Sequence, residues 1–272
     1  MKIGAPLAVL ADVHGNRWAL EAVLEDADRA GVQRFIDLGD CVAGPLDPCG
    51  TARRLMALDA VTVLGNHDRA VLEGDPSPSA AFAREQLDGV QLDWLAALPK
   101  TAQLDGDVLA CHGSPADDTF YLLEEVVPEG VRRRDPANVR ALLENIPAHL
   151  VLCGHTHLAR MLPVAPDKLV VNPGSVGCPA YDHDVPHPHV MESGSPHARY
   201  GLLHPRRGVW EVELRTVGYR WHEAAATARA HGREDWAVAL ETGLALPTVT
   251  RHVPEPHSPN AESGEATLRH GR

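Results

Sequence analysis

The sequence predicts an α/β domain built on central β-sheets. Short apolar runs, bounded mostly by Gly, Asp or Pro, recur up to about residue 171, and such runs are typical of buried strands. Segments with helical character lie between them. Because strands and helices alternate, we expect functional groups to collect just beyond the carboxyl ends of the strands.

The apolar runs define the predicted strands. In chain order they are residues 7–11, 34–38, 61–64, 108–111, 150–153 and 169–171. The predicted helices between them are residues 16–30, 51–58, 79–98 (one interrupted helix or two) and 135–146. Gly31 suits the left-handed cap that ends the first helix. Asp135 and Pro136 suit the cap and the first position of the last helix.

The chain changes character after Asn172. Residues 178–197 are rich in Pro, Gly, His and acidic residues, and we expect them to form a long loop. Residues 199–204 and 209–217 are predicted strands that pair as a hairpin, and the Ala-rich residues 223–242 are a predicted helix.

The last part of the chain has a different composition from the rest. Residues 247–272 contain many Pro, Ser, Glu and His residues and few large apolar ones, so we expect a disordered tail. The domain organisation predicted is therefore a single domain over residues 1–246, with residues 178–197 as an inserted loop, followed by this tail.

Composition limits the classes of partner. The chain has 272 residues and is 44% hydrophobic, which is enough for a large single core. It carries 25 Lys and Arg against 37 Asp and Glu, a net charge of −12, which argues against binding long nucleic acid. A small phosphate ester is not excluded, because bound divalent ions would dominate the local field.

Cysteine usage and the N-terminus bear on location. The five cysteines include no C-x-x-C pair and fit no disulfide framework, so we expect buried free thiols. The apolar N-terminal residues 1–10 are short and lack a small-residue cleavage site, which favours a first strand over a signal peptide. No stretch approaches transmembrane length. We expect a cytoplasmic protein without a membrane partner.

Five short polar motifs follow the predicted strands and contain seven potential metal ligands. These are Asp12, His14, Asp40, Asn66, His112, His155 and His157. A mixed set of carboxylate, amide and imidazole donors suits one or two divalent transition ions better than a structural zinc site. Two such ions about 3.5–4 Å apart are the usual apparatus for hydrolysing a phosphate ester.

Spacing suggests how these ligands work together. Asp12 and His14 are two residues apart, as are His155 and His157, so each pair would point the same way on an extended strand. Asp40 follows a glycine that allows close backbone approach, which makes it the best candidate for a carboxylate bridging two ions. Taken singly, each motif also fits a polar turn. Five of them placed after strands favour the metal interpretation.

His67 and Asp68 carry a separate prediction. His67 follows the ligand Asn66 and would point elsewhere on an extended strand, so its imidazole could face the substrate and protonate the departing alkoxide. Asp68 could hold that imidazole in the required tautomer. We therefore name His67 and Asp68 as candidate catalytic residues.

These motifs resemble those of a known family. Asp-Val-His-Gly-Asn at 12–16, Gly-Asp at 39–40, Gly-Asn-His-Asp at 65–68, His-Gly-Ser at 112–114 and Gly-His-Thr-His at 154–157 are similar to the five signature blocks of the calcineurin-like metallophosphoesterases. Asn-Pro-Gly-Ser-Val-Gly at 172–177 resembles the block that follows in their small bacterial and archaeal phosphodiesterase branch. The resemblance implies a four-layer αββα sandwich, with two mixed sheets and a dinuclear site at the carboxyl ends of the strands.

The resemblance also implies how the ligands divide. The first ion would take Asp12, His14, Asp40 and His157, and the second would take Asp40, Asn66, His112 and His155. His67 would assist the leaving group, and Asn16, Asn66 and His67 would lie near the substrate. Manganese is the first expectation for both ions, with iron, zinc, nickel and cobalt as alternatives.

The implied activity is hydrolysis of a small, nucleotide-derived phosphodiester by a hydroxide that bridges the two ions. The alternatives are a dinucleoside polyphosphate hydrolase, a protein phosphatase, or a non-catalytic scaffold of the same fold. Protein phosphatases continue the second block with Asp-Arg-Gly, whereas Cys-Val-Ala-Gly-Pro follows here at 41–45. Their third block ends in Glu, whereas Asp68 stands here. These departures favour the phosphodiesterase branch and leave the natural substrate and oligomeric state open.

Overall fold

The structure is a computed structural model that describes residues 6–104, 107–206 and 209–246. Five strands form the first sheet: β1 (Leu7–Leu10), β2 (Arg34–Asp37), β3 (Ala60–Thr62), β13 (Ala198–Arg206) and β14 (Val209–Val217). Their order across the sheet is β14-β13-β1-β2-β3. The first three are parallel to one another, and β13 pairs antiparallel with β1. The polar motifs that follow β1, β2 and β3 therefore leave the same edge of this sheet.

The second sheet has the same number of strands. They are β4 (Thr101–Leu104), β5 (Val108–Cys111), β8 (Leu150–Leu152), β9 (Arg160–Ala165) and β10 (Lys168–Asn172), in the order β4-β5-β8-β10-β9. The three central strands are parallel, and the two edge strands are antiparallel to their neighbours. Two hairpins complete the β-structure: β6 (Glu124–Val127) with β7 (Gly130–Arg133), and β11 (Ala180–His183) with β12 (His189–Glu192).

Eight helices lie in the described part of the chain. They are α1 (Arg17–Arg29), α2 (Pro48–Met56), α3 (Asn66–Glu73), α4 (Pro78–Gln86), α5 (Gly89–Ala96), α6 (Pro136–Leu142), α7 (Trp221–Ala230) and α8 (Glu234–Thr242). Asn16 caps α1 through its side chain, and Asp47 and Asp135 do the same for α2 and α6. No helix among these residues is long and apolar enough to cross a membrane.

Alternating side chains along the strands produce the layers. Leu7 and Val9 of the first sheet pack with Val108 and Leu152 of the second in one buried cluster, so the two sheets lie face to face. The opposite face of the first sheet, which includes Leu10, packs on α1. The opposite face of the second sheet packs on α6 in a further cluster that contains Cys111, Val139, Val151 and Val170. This arrangement is the four-layer αββα sandwich, and the predicted fold class is confirmed.

Most predicted elements are present, and two predictions need correction. Residues 178–197 are not an irregular loop, because they contain the hairpin β11–β12. The helix predicted over 223–242 is two helices, since Gly232 adopts the left-handed conformation between them with φ 74°. The segment 79–98 resolves into two helices, as one of its two interpretations proposed. The tail at 247–272 lies outside the described residues.

All five cysteines lie in the described part of the chain. Each is a free thiol, and four of them are buried: Cys41, Cys111, Cys153 and Cys178. The free thiols agree with the expectation that the cysteines form no disulfide framework.

Candidate metal centre

The seven predicted ligands meet at one place, where the carboxyl ends of strands from both sheets face each other. Asp12 and His14 follow β1, Asp40 follows β2, and Asn66 begins α3 after β3. The other three come from the second sheet, with His112 after β5 and both His155 and His157 after β8. The chain therefore assembles the site from five separate segments, as the strand-end argument predicted.

Six of the ligands form two groups. The donor atoms of Asp12, His14 and His157 lie within 4.8 Å of one another, and so do those of Asp40, His112 and His155. The seventh ligand joins the second group, since Asn66 Oδ1 lies 2.9 Å from His112 Nε2. This division coincides with the one that the family resemblance implies for two ions.

Asp40 lies between the two groups. Its Oδ2 is buried and has no hydrogen-bond partner, although it lies 3.6 Å from His14 Nε2 and 3.2 Å from His112 Nε2. Its Oδ1 accepts the backbone N–H of His67 at 2.8 Å. A buried carboxylate oxygen without a donor is costly, and a cation would remove that cost. The position of Asp40 therefore fits a bridge between two ions.

Backbone carbonyls set the tautomers of the histidines. Nδ1 of His14 donates to Ala43 O at 2.7 Å, and Nδ1 of His112 and His157 donate in the same way to Leu38 O and Cys178 O, at 2.7 and 2.6 Å. A neutral imidazole that donates from Nδ1 presents a lone pair at Nε2, which is the form a metal requires. His155 is reversed, since its Nε2 lies 2.9 Å from Thr119 O and Nδ1 remains for a metal.

The two Nε2 atoms of His14 and His157 lie only 3.2 Å apart. If both rings are neutral and donate from Nδ1, two lone pairs face each other at this distance, and a positive charge, either a proton or a metal ion, is required between them. A divalent ion fits that requirement together with Asp12, whose Oδ1 lies 3.4 Å from His157 Nε2. The donor set and its geometry therefore fit the metal ions that the family implies.

Backbone strain marks the same residues. The non-glycine residues with positive φ in the described ranges are Asp12, His14, Asp40, His155 and His157, at φ between 50° and 69°. This region is unfavourable for residues with a Cβ and is retained where surrounding structure enforces it, often at functional sites. Gly39 adopts φ 91°, and a Cβ there would lie 2.5 Å from Gly65 N, which confirms the expected close backbone approach before Asp40.

Burial and mutual charge shift the ionisation of these groups. Burial lowers the pKa of His14 to about 4 and that of His155 to about 3. Burial also opposes protonation of His112, but the Asp40 carboxylate outweighs it and raises the pKa of His112 to about 9. Burial alone would raise the pKa of Asp40, yet the surrounding imidazoles hold it well below its usual range. The Asp40 carboxylate is therefore ionised and suited to binding cations.

Comparison with known proteins identifies the family. Residues 2–191 match the model of the calcineurin-like phosphoesterase superfamily domain. The chain belongs to this superfamily. It is therefore a metallophosphoesterase, a metal-dependent hydrolase that acts on phosphate esters.

Individual proteins are similar to this chain. The metallophosphoesterase of Sphaerobacter thermophilus is 26% identical and has a TM-score of 0.69, covering 88% of this chain and 99% of that one. A protein proposed to be a diadenosine tetraphosphatase shares the fold, at 20% identity and a TM-score of 0.52, covering 80% of this chain and 96% of that one. An uncharacterized protein of Methanocaldococcus jannaschii is 24% identical over 200 residues, which are 64% of this chain and 76% of that protein.

The predicted catalytic pair of this metallophosphoesterase separates in the structure. His67 is half-buried and lines the cleft beside the ligands, with its ring centroid 5.4 Å from that of His14. Asp68 turns away from it and accepts the backbone N–H groups of Cys41 and Gly65, at 2.9 and 3.3 Å. The prediction that Asp68 orients the His67 imidazole is wrong, because successive side chains at a helix start point about 100° apart.

Asn16 also differs from its predicted role near the substrate. Its Oδ1 accepts the N–H of Ala19 at 3.1 Å as the cap of α1, and its Nδ2 donates to Gly177 O at 2.9 Å and to Tyr219 Oη at 3.2 Å. The residue is fully buried and all its polar atoms have protein partners. Asn16 therefore orients the helix that follows His14, whereas Asn66 and His67 do line the cleft.

The cleft beside the candidate ligands has a volume of about 710 Å³. Besides the candidate ligands, its walls include Tyr121, Tyr181 and Trp236. The Trp236 ring centroid lies 5.8 Å from that of His14. No local sequence pattern predicts these aromatic residues, since none of them directly follows a predicted strand. Trp236 also lies beyond the segment that matches the family model.

Proposed function

We propose that this metallophosphoesterase is a phosphodiesterase that hydrolyses a small, nucleotide-derived ester with the help of two divalent ions, manganese first. Asp12, His14, Asp40 and His157 would hold one ion, and Asp40, Asn66, His112 and His155 the other. A pair of such ions supplies an activated water and offsets the charge of the phosphate. The orphan Oδ2 of Asp40 between the two ligand groups supports this assignment.

The observation that favours a diester is that the arginines of the cleft already make hydrogen bonds or ion pairs within the protein. Arg134 and Arg233 are the basic residues among the described groups that line it. Arg134 Nη2 donates to the carbonyls of Tyr121 and Glu124, at 3.0 and 2.8 Å. Arg233 forms a two-pronged ion pair with Asp235, at 2.9 and 2.6 Å. The Arg233 guanidinium is thus paired with Asp235. Two carbonyls hold Nη2 of Arg134, whose buried Nε has no hydrogen-bond partner among the described residues.

The same cleft carries acidic side chains. Glu124, Glu125, Asp182 and Asp235 all line it. A phosphodiester has one negative charge, whereas a monoester or a polyphosphate has two or more, which need further cations. The balance of charge in the cleft therefore favours a diester over a phosphoprotein or a dinucleoside polyphosphate. A cleft of about 710 Å³ also has room for an organic group on each side of one phosphate.

His67 is proposed to protonate the departing oxygen. Its ring lines the cleft beside His14, and its backbone N–H binds Oδ1 of the carboxylate proposed as the bridge. A half-buried imidazole at such an edge can reach a leaving group while the ligands hold the phosphate. A histidine in this position typically contributes about 10²–10⁴-fold to the rate.

The proposal is tested with the purified chain loaded with manganese, its metal content measured by elemental analysis. Bis-p-nitrophenyl phosphate, p-nitrophenyl phosphate, cyclic nucleotides, diadenosine tetraphosphate and a phosphopeptide are compared at equal concentration. We expect the highest kcat/KM with a diester. No turnover of any ester by protein that holds two ions would contradict an enzymatic role, and a preference for diadenosine tetraphosphate would reassign the substrate.

A further inference from the structure

Two tyrosines contact the ligand histidines: Tyr181, which belongs to β11 of the hairpin β11–β12, and Tyr121. The Tyr181 ring packs edge-on against the His157 ring, with centroids 4.7 Å apart. The Tyr121 ring packs against the His155 ring at 4.9 Å. Since His157 belongs to one group of ligands and His155 to the other, the two tyrosines contact one ligand of each group.

Hydrogen bonds join the two phenols to each other and to the hairpin. Tyr181 Oη lies 3.0 Å from Tyr121 Oη and 3.2 Å from the backbone carbonyl of His155. Tyr121 Oη in turn lies 3.1 Å from Nε2 of His189, a residue of β12 that is only 3% exposed. The hydroxyls thus form a continuous chain that ends inside the hairpin.

His189 fixes the direction of that chain. Its Nδ1 lies 2.7 Å from the carbonyl of His187 and must carry a proton there, so Nε2 of the neutral ring is an acceptor. The Tyr121 hydroxyl therefore donates to His189, and its oxygen accepts from Tyr181. The single Tyr181 proton faces two acceptors, Tyr121 Oη at 3.0 Å and the His155 carbonyl at 3.2 Å, and is shared between them. Both hydroxyls thus have acceptors that orient their rings.

The segment that leads into the hairpin holds His157 from a second side. The carbonyl of Cys178 accepts the Nδ1 proton of His157 at 2.6 Å, two residues before β11 begins. The same segment therefore fixes both the tautomer of His157 and, through Tyr181, the position of its ring. Residues of this segment and its hairpin therefore contact the candidate metal centre directly.

We propose that Tyr121 and Tyr181 are positioning residues, whose hydrogen-bonded chain to His189 holds His155 and His157 at the spacing required by the two ions. The proposal rests on the metal binding proposed above. Groups that orient metal-ligating histidines from outside typically contribute about 10–100-fold to metal affinity. Loss of either hydroxyl breaks this chain, while the contact between each tyrosine ring and its histidine remains.

The test is calorimetric titration of the metal-free full-length protein with Mn²⁺, which reads affinity and not activity. We expect Tyr121→Phe and Tyr181→Phe each to weaken binding by about tenfold. The double variant should bind Mn²⁺ about as weakly as Tyr121→Phe alone, because both substitutions break the same hydrogen-bonded chain and their effects do not add. Tyr200→Phe is the matched control, since its hydroxyl bonds Asp26 Oδ2 at 2.7 Å and it is not among the residues that line the cleft.

The outcomes separate the two proposals. If the unaltered protein binds two Mn²⁺ ions and both tyrosine variants bind them within twofold, the positioning role is overturned. An equal loss in Tyr200→Phe would also overturn it, because the effect would then be unspecific. If the unaltered protein binds no Mn²⁺, the proposed metal centre itself fails. Unchanged thermal unfolding of the metal-free variants excludes loss of the fold as the cause.

Discussion

The Asp68 carboxylate accepts the backbone N–H of Cys41 at 2.9 Å. This bond ties the first turn of α3, which carries Asn66 and His67, to the loop that carries Asp40. The same carboxylate accepts the N–H groups of Val42 and Gly65, both at 3.3 Å. Asp68 thus holds together two segments that supply ligands, without facing the cleft itself.

Asp68→Asn should weaken this junction. An amide presents two donors where the carboxylate accepts only from backbone N–H groups, so at least one buried donor loses its partner. We expect a loss of roughly 1–3 kcal/mol in the free energy of unfolding and weaker Mn²⁺ binding. Denaturant unfolding and calorimetric titration measure the two effects. Asp88→Asn is the control, since it keeps a capping oxygen for Gln91 N at the start of α5 and should change neither quantity.

Asp40→Ala should abolish loading of both ions. The substitution removes the carboxylate that lies within 3.6 Å of an imidazole from each ligand group, so each ion would lose a shared anionic donor. Elemental analysis after dialysis against Mn²⁺ should find well under one ion per chain. Retention of two ions by a folded Asp40→Ala protein would show that the carboxylate is not a bridge.

Strands buried on both faces were the predictable part of the fold. The runs that became β1, β5, β8 and the centre of β10 are continuous in apolar residues, and this pattern is typical of central parallel strands. Edge strand β9 is not predicted from the sequence because it contains Pro163, and proline is disfavoured in central strands. Hairpin β6–β7 is not predicted either, because half of the residues in its strands are charged, with Arg132 and Arg133 exposed to solvent.

The ligands were predictable and their supports were not. Strand-end position depends on local sequence, so all seven ligands follow from the motifs. Side-chain direction depends on the local backbone. The role predicted for Asp68 is wrong because α3 begins at Asn66, whereas the prediction requires an extended strand there. Tyr121 and Tyr181 reach the site through contacts between segments 60 residues apart, which no local pattern encodes.

His67→Ala should retain both ions and lower kcat by about 10²–10⁴-fold for an ester whose leaving alcohol needs a proton. The loss should be larger for an ester with an alkyl alcohol than for bis-p-nitrophenyl phosphate, because p-nitrophenolate departs without a proton. Steady-state rates on the two esters, with metal content measured in parallel, give this comparison. His149→Ala removes a histidine whose side chain is 56% exposed and should leave rates unchanged. Equal losses on both esters would argue against proton donation by His67.

Metal uptake should release protons and strengthen as pH rises. In the metal-free protein burial opposes protonation of His112, but Asp40 outweighs it and raises the pKa of His112 to about 9. Burial likewise opposes protonation of His157, yet Asp12 raises its pKa well above the usual value.

At pH 7 both histidines are therefore imidazolium ions, and a metal ion must displace the extra proton from each. The affinity for Mn²⁺ therefore falls as pH falls. The sign for stability is opposite, because a histidine with a raised pKa stabilises the metal-free fold below about pH 6.5, and this contribution is lost as pH rises through about 9. Titrations with Mn²⁺ in buffers of different ionisation enthalpy count the protons released. We expect about two per chain at pH 7, one from each of these residues. Release of none, with affinity independent of pH between 6 and 8, would show that both imidazoles are already neutral before the ions bind.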